Sequence, residues 1–230
     1  MRLRKWDVLL DSLTTAQAAQ VEARMRRVVY EARDILFRQG APSDCMLLVR
    51  SGRVRLYLLS EEGEEFVTGV TGVGSVLGLA PAVLGASRFQ TAEAIDRVEA
   101  SRLSAGDLNE LMAAIPCFSR NVARLLAILS GESIMRSGPL ALDPINMRIA
   151  SILINLASLD EADPSGRSHV IEGLTQGELA KMVGASRTWV ALTLAEFERR
   201  GLLQRKKRWI RIPDLDRLLR YLSMARQDKH

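Results

Sequence analysis

The sequence predicts an α+β chain: a β-rich N-terminal roll or barrel, one long amphipathic helix, and a C-terminal winged helix-turn-helix. Three observations predict it. Short, branched, apolar segments separated by turn signals fill residues 34–103. The hydrophobic period then changes to three and four over 105–137. Finally, residues 175–212 run through a capping box, a glycine turn, a second cap and a basic hairpin in unbroken order.

The strands come first. ILF, MLLV, RVRLYLL and EFVTGV are short and rich in branched side chains, with QGAPSD, RSGR, SEEGEE and TGVGS between them. Such spacing builds a barrel or roll. The glycines fall at turns, and no dinucleotide or phosphate-loop pattern is present. Cys45, Met46 and Met112 read as core residues.

In the helical stretch, Leu108, Leu111, Met112, Ile115, Phe118, Val122, Leu125, Leu126 and Leu129 recur at three and four. From Pro116 to Ser137 this predicts a helix of about 33 Å. Phe118, Val122, Leu125, Leu126 and Leu129 form a stripe that serves either as an internal core face or as a two-fold dimer seam. Glu132 and Arg136 stand at the i,i+4 spacing of an ion pair. Gly138-Pro139 should end the helix. Four segments follow: a sensing domain over 1–115, a dimerisation helix over 116–137, a hinge over 138–142 and a DNA-binding domain over 143–230. Asp143 as N-cap and Pro144 at the first helical position open the next helix. A loop DEADPSGRS and a strand at HVI come after it.

Thr175 and Glu178 make a capping box, Gly184 allows a sharp turn, and Ser186 caps a second helix that ends at Gly201. Val190, Leu194 and Phe197 share one face of that helix, and Thr193 falls at a core position. Arg187 and Thr188 lie at its start, where a helix-turn-helix reaches base edges. RKKRWIRI reads as a wing, with Ile210 and Ile212 inward and Lys206, Lys207 and Arg208 free for phosphates.

Charge agrees with this order. Residues 1–142 carry 17 basic and 16 acidic side chains, while 143–230 carry 15 and 11. Eight basic residues fall within 187–211 (Arg187, Arg199, Arg200, Arg205, Lys206, Lys207, Arg208 and Arg211) against Glu196 and Glu198. That is the footprint of a phosphate-backbone partner or, on charge alone, a solvated basic face. No apolar run approaches the roughly 18 residues of a membrane span, and the N-terminus does not read as a signal peptide, so a cytoplasmic protein is expected. Two separated cysteines suggest neither a disulfide framework nor a metal site.

From about Trp6 to Tyr221 the chain resembles the Crp/Fnr (cyclic-AMP receptor protein-like) transcription regulators. DILFRQGAPSDCMLLVRSGRVRLYLLSEEGEEFVTGVTGVGSVLG and LTQGELAKMVGASRTWVALTLAEFERRGLL carry the likeness. The resemblance implies a cyclic-nucleotide-binding-like β-roll, a long dimerisation helix and a winged helix-turn-helix. It implies a homodimer on an inverted-repeat promoter site, with RNA polymerase as a candidate partner, no membrane, and an effector held between roll and helix. On this likeness the effector pocket would comprise Leu77, Leu79, Arg88, Phe89 and Val122. The DNA-contacting set would be Thr175, Ser186, Arg187, Thr188, Trp189, Leu192, Lys206, Lys207 and Arg208.

The departures are informative. Members that bind cyclic AMP carry a Glu for the ribose and an Arg-Ser/Thr pair for the phosphate. Here GSVLGLAPAVLGASRFQTAEAI puts Leu79 and Phe89 at two of those places and keeps only Arg88. A sugar hydroxyl facing Leu79 would lose its partner, at about 1–3 kcal/mol. Ordinary cyclic-AMP sensing is therefore not expected. Arg88 reads either as an anion ligand or as half of a surface salt bridge. Iron–sulfur members need about four cysteines, and haem members a histidine in the roll, whereas His169 and His230 lie outside it. No metal, haem or iron–sulfur cluster is expected. An apolar effector, an atypical nucleotide or no effector remain. In the recognition helix SRTWVAL, Thr188 and Leu192 replace the family's base-reading Glu and Arg, so its consensus operator is not carried over.

Two other classes compete. An enzyme would need a nucleophile–base–orienter spacing, and none is found. A ligand-free module acting by protein contact stays open, because Leu79, Phe89 and Leu192 are all losses from the usual pattern.

Overall fold

The computed structural model describes residues 5–157, 168–206 and 209–227, with 136–141 and 226–227 given by backbone alone. Lys207, Arg208 and all but the last residue of the expected loop DEADPSGRS lie outside the described residues. The chain divides into two compact units, Met1–Ile134 and Met135–His230.

In chain order, the first unit holds α1 (Lys5–Leu10), α2 (Thr15–Ala23), β1 (Arg26–Tyr30), β2 (Ile35–Phe37), β3 (Cys45–Ser51), β4 (Val54–Leu59), β5 (Glu65–Thr71), β6 (Val76–Leu77), α3 (Leu79–Leu84), β7 (Thr91–Ala94), β8 (Val98–Ser104) and α4 (Ala105–Ala114). The helix α5 (Pro116–Leu142) begins there. Two antiparallel four-stranded sheets, ordered β1-β8-β3-β6 and β2-β7-β4-β5, make the roll. Strand alternation divides β3 between two cores. Cys45, Leu47 and Val49 face the roll interior with Val54, Leu77, Ala92, Ala94 and Ala100. Met46 and Leu48 face the other way, onto a cluster with Trp6, Leu9, Leu79, Leu108, Phe118 and Val122.

That second core takes up the inner part of the long helix's stripe. Phe118, Val122 and Leu125 are at most 1% exposed within the single chain, and Leu126 and Leu129 pack against the same cluster. Phe118, Val122 and Leu125 of the expected dimer seam are therefore this unit's own core face, because the outer side of the sheet needs a cover, while Leu126 and Leu129 are only half-buried. Asn121 fixes the seat: its Nδ2 donates to the carbonyls of Leu9 and Asp11 at 3.1 and 2.6 Å. The face turned to solvent carries Ala123, Ala127, Ser130 and Ile134 instead. Glu132 pairs with Lys5 at 2.8 Å. The helix also does not stop at Gly138-Pro139 but runs to Leu142, through the segment expected to be a hinge. Pro139 withholds one backbone donor from it.

The second unit holds α6 (Ile145–Ala157), β9 (His169–Glu172), α7 (Gln176–Val183), α8 (Arg187–Arg199), β10 (Gln204–Lys206), β11 (Trp209–Ile212) and α9 (Leu215–Gln227). β10-β11-β9 form an antiparallel sheet in which Ile171, Ile210 and Ile212 point inward. α9 closes the unit through Leu218 and the Tyr221 ring, which stands edge-on to Phe197 at 5.2 Å.

Candidate nucleic-acid interface and roll interior

The helix pair forms as its sequence dictates. Thr175 Oγ1 accepts from the Glu178 amide at 3.1 Å, and Glu178 Oε2 accepts from the Thr175 amide at 2.7 Å. Gly184 turns the chain at φ +60°, a left-handed conformation that glycine adopts without strain. Ser186 then accepts from the Trp189 amide at 3.3 Å. Leu179 and Val183 of α7 and Val190, Leu194 and Phe197 of α8 are buried, so the opposite side of α8 is free. That side presents Arg187, Thr188, Trp189 and Leu192, the last two 58% and 59% exposed. Thr193 is half-buried rather than a core residue, and its hydroxyl donates to the Trp189 carbonyl at 2.9 Å.

The basic cluster is less available than its composition suggests. Arg199 and Arg200 both bind Glu196, at 2.6 Å each. Arg205 is tied to Glu198 at 2.7 Å, and Arg211 donates to Ser168 at 3.0 Å. Of these, the Arg205–Glu198 pair ties the wing strand β10 to α8. Lys206 lies 5.8 Å from the Trp209 ring centroid, where its ammonium meets the ring's negative face. Thr175 and Ser186 act through capping, which aims the two helix starts, while Thr188, Trp189 and Leu192 are open to solvent, Arg187 is exposed beside the first turn of α7, and Lys206 is exposed beside Trp209.

In the first unit the expected effector pocket does not stay together. Leu77 belongs to the roll interior, whereas Leu79 and Val122 belong to the helical core on the far side of the sheet. Phe89 is 54% exposed. Arg88 is the exception, and it is no surface residue, since its side chain is only 2% exposed. Its guanidinium stacks 4.3 Å from the Phe37 ring centroid. Nη2 donates to Cys45 Sγ at 3.3 Å and to Asp44 Oδ1 at 3.4 Å. Nε and Nη1 are buried and meet no acceptor among the described residues. Gly78, at φ +71°, makes the pose possible, because a Cβ there would fall 2.0 Å from Nη1. Burial pushes the Cys45 thiol up from its ordinary range against the pull of Arg88. Burial also raises the Asp44 carboxyl, but its bonds to Arg102 and Cys45 outweigh that and hold it below the usual value. Phe37, Asp44 and Gly78 escape a sequence reading. Their only signal is Gly78 standing directly after the VL strand.

Comparison with known proteins places both units. The Cyclic nucleotide-binding domain profile matches residues 27–114, and the Crp-like helix-turn-helix domain profile matches 147–221. A CRP-like cAMP-activated global transcriptional regulator of Mycobacterium tuberculosis is 27% identical over 88% of this chain and 90% of its own. The transcriptional activator protein FnrA of Stutzerimonas stutzeri is 25% identical over 79% and 74%. A solved transcriptional regulator of the CRP/FNR family from Thermus thermophilus superposes with a TM-score of 0.72 at 26% identity, covering 86% of this chain and 98% of that one. With a roll, a long helix and a capped helix-turn-helix in one order, and relatives aligned across both units, the chain belongs to the Crp/Fnr family of transcription regulators.

Proposed function

We propose that the protein is a homodimeric, sequence-specific DNA-binding regulator whose affinity for an inverted-repeat site is set by an anionic effector beside Arg88. The open face of α8 supports the DNA reading: its start is capped, its inner side is buried, and Arg187, Thr188, Trp189 and Leu192 are left for a groove. Selection of random duplexes by the purified protein should enrich two half-sites about one helical turn apart. Salt-sensitive binding with no enriched sequence would sink this reading. The partners are then DNA, a second copy of the chain and RNA polymerase, in the cytoplasm.

Arg88 carries the effector reading. A buried guanidinium with two nitrogens lacking acceptors is costly unless an anion arrives. This favours an anionic ligand over a purely apolar one. Leu79, turned into the helical core, offers no acceptor for a ribose, so cyclic AMP held in the family's usual manner does not fit. The same arginine favours a second reading, an atypical cyclic-nucleotide site. Calorimetric titration with cyclic AMP distinguishes them. Saturable binding that Arg88→Ala abolishes would select the second reading, and no heat would select the first.

A further inference from the structure

Gly177 is the second residue of α7, and its backbone does not require glycine: it is absent from the left-handed set to which Gly184 belongs. Glycine is also among the poorest residues for a helix. What Gly177 supplies is room. A Cβ at this position would lie 3.1 Å from Nε, 3.2 Å from Nη2 and 3.3 Å from Cζ of Arg187. Three guanidinium atoms at nearly one distance mean that the plane of the group faces the vacant site. Arg187, the first residue of α8, therefore folds back over the first turn of α7. Among the described residues it has no hydrogen bond or ion pair that would hold it there. The first turn of a helix is also its positive end, which does not attract a cation. The room left at Gly177 is what admits the group there.

We propose that Gly177 is a specificity-determining position. It seats the Arg187 guanidinium between the two helix starts and so fixes where that group meets the duplex. This rests on the DNA reading above. A seated arginine presents its donor fork in one place, which limits both the ordering needed on binding and the edges it can read. A methyl at Gly177 leaves α7 intact but crowds the guanidinium by a few tenths of an ångström at the contacts given above, and a larger side chain takes the seat entirely.

The experiment is duplex selection followed by affinity measurement on full-length chains: unmodified, Gly177→Ala, Arg187→Ala and the double variant. Gly177→Ala should keep the inverted repeat and lose preference at one base pair per half-site. Its affinity for the original site should fall about tenfold, the scale of one good base contact, with random-duplex affinity unchanged. In the Arg187→Ala background the same change should do nothing further. Thermal melting checks that Gly177→Ala stays folded, and because glycine is the weaker helix former its midpoint should not fall. An unchanged motif and affinity in Gly177→Ala would overturn the proposal, as would an equal shift in the Arg187→Ala background. Failure of the unmodified chain to enrich any motif is a distinct result. It overturns the DNA reading and this proposal together.

Discussion

Arg88 and Gly78 form a matched pair, since the arginine's position needs the absence of a side chain at the glycine. Gly78→Ala should destabilise the first unit by about 2 kcal/mol or more, through a left-handed alanine and a steric overlap. Adding Arg88→Ala should recover the overlap part, and urea unfolding measures both. Asp107 supports a pH prediction. Its bonds to Ser104, first, and to Arg24 hold its carboxyl below the ordinary 3.8. A depressed folded value means the carboxylate stabilises the native state above the unfolded value and ceases to as pH falls through the folded one. Asp107→Asn should thus be less stable than the unmodified chain at neutral pH, with the gap closing in acid. None of these pairings was legible in the sequence. Arg88 and Gly78 stand ten positions apart with a helix between them, and only the fold brings them into contact.

At the scale of elements, the sequence was most legible where local chemistry decides. The capping box at Thr175, the cap at Ser186 and the turn at Gly184 are short-range, and they form as read. Ser186→Ala should cost about 1 kcal/mol, seen as a lower unfolding midpoint. β8 was harder to see. VEASRLS is poor in large apolar residues, yet it runs between β1 and β3, a place set by tertiary pairing. The long helix shows the limit of periodicity, because an apolar stripe has the same pattern whether it covers its own sheet or a partner's helix. Phe118→Ala distinguishes the two. As a core residue it should cost about 3–5 kcal/mol, with a loss independent of protein concentration, where a seam residue would give a concentration-dependent one. The solvent face of the same helix is a different matter. Ala127→Glu should leave the fold intact and, if two copies meet there, weaken association in sedimentation.

For the whole molecule, charge is a matter of availability. Of the eight basic residues around α8, Arg199, Arg200 and Arg205 are paired within the unit. Of the other five, Lys207 and Arg208 lie outside the described residues; if all five meet phosphates, a DNA-bound dimer should show a salt slope of about −9 in log–log form. A slope near −14 would mean the pairs open on binding. The two cysteines allow a different use of the same fold. Cys117 is half exposed near the start of α5, while Cys45 is buried beside Arg88. Each chain therefore carries one fast and one slow thiol, an internal pair of clocks. The fast one reports reagent quality. The slow one can be labelled only when the roll opens, so its lag relative to Cys117 is a direct readout of how often the interior breathes and of any compound that stops it.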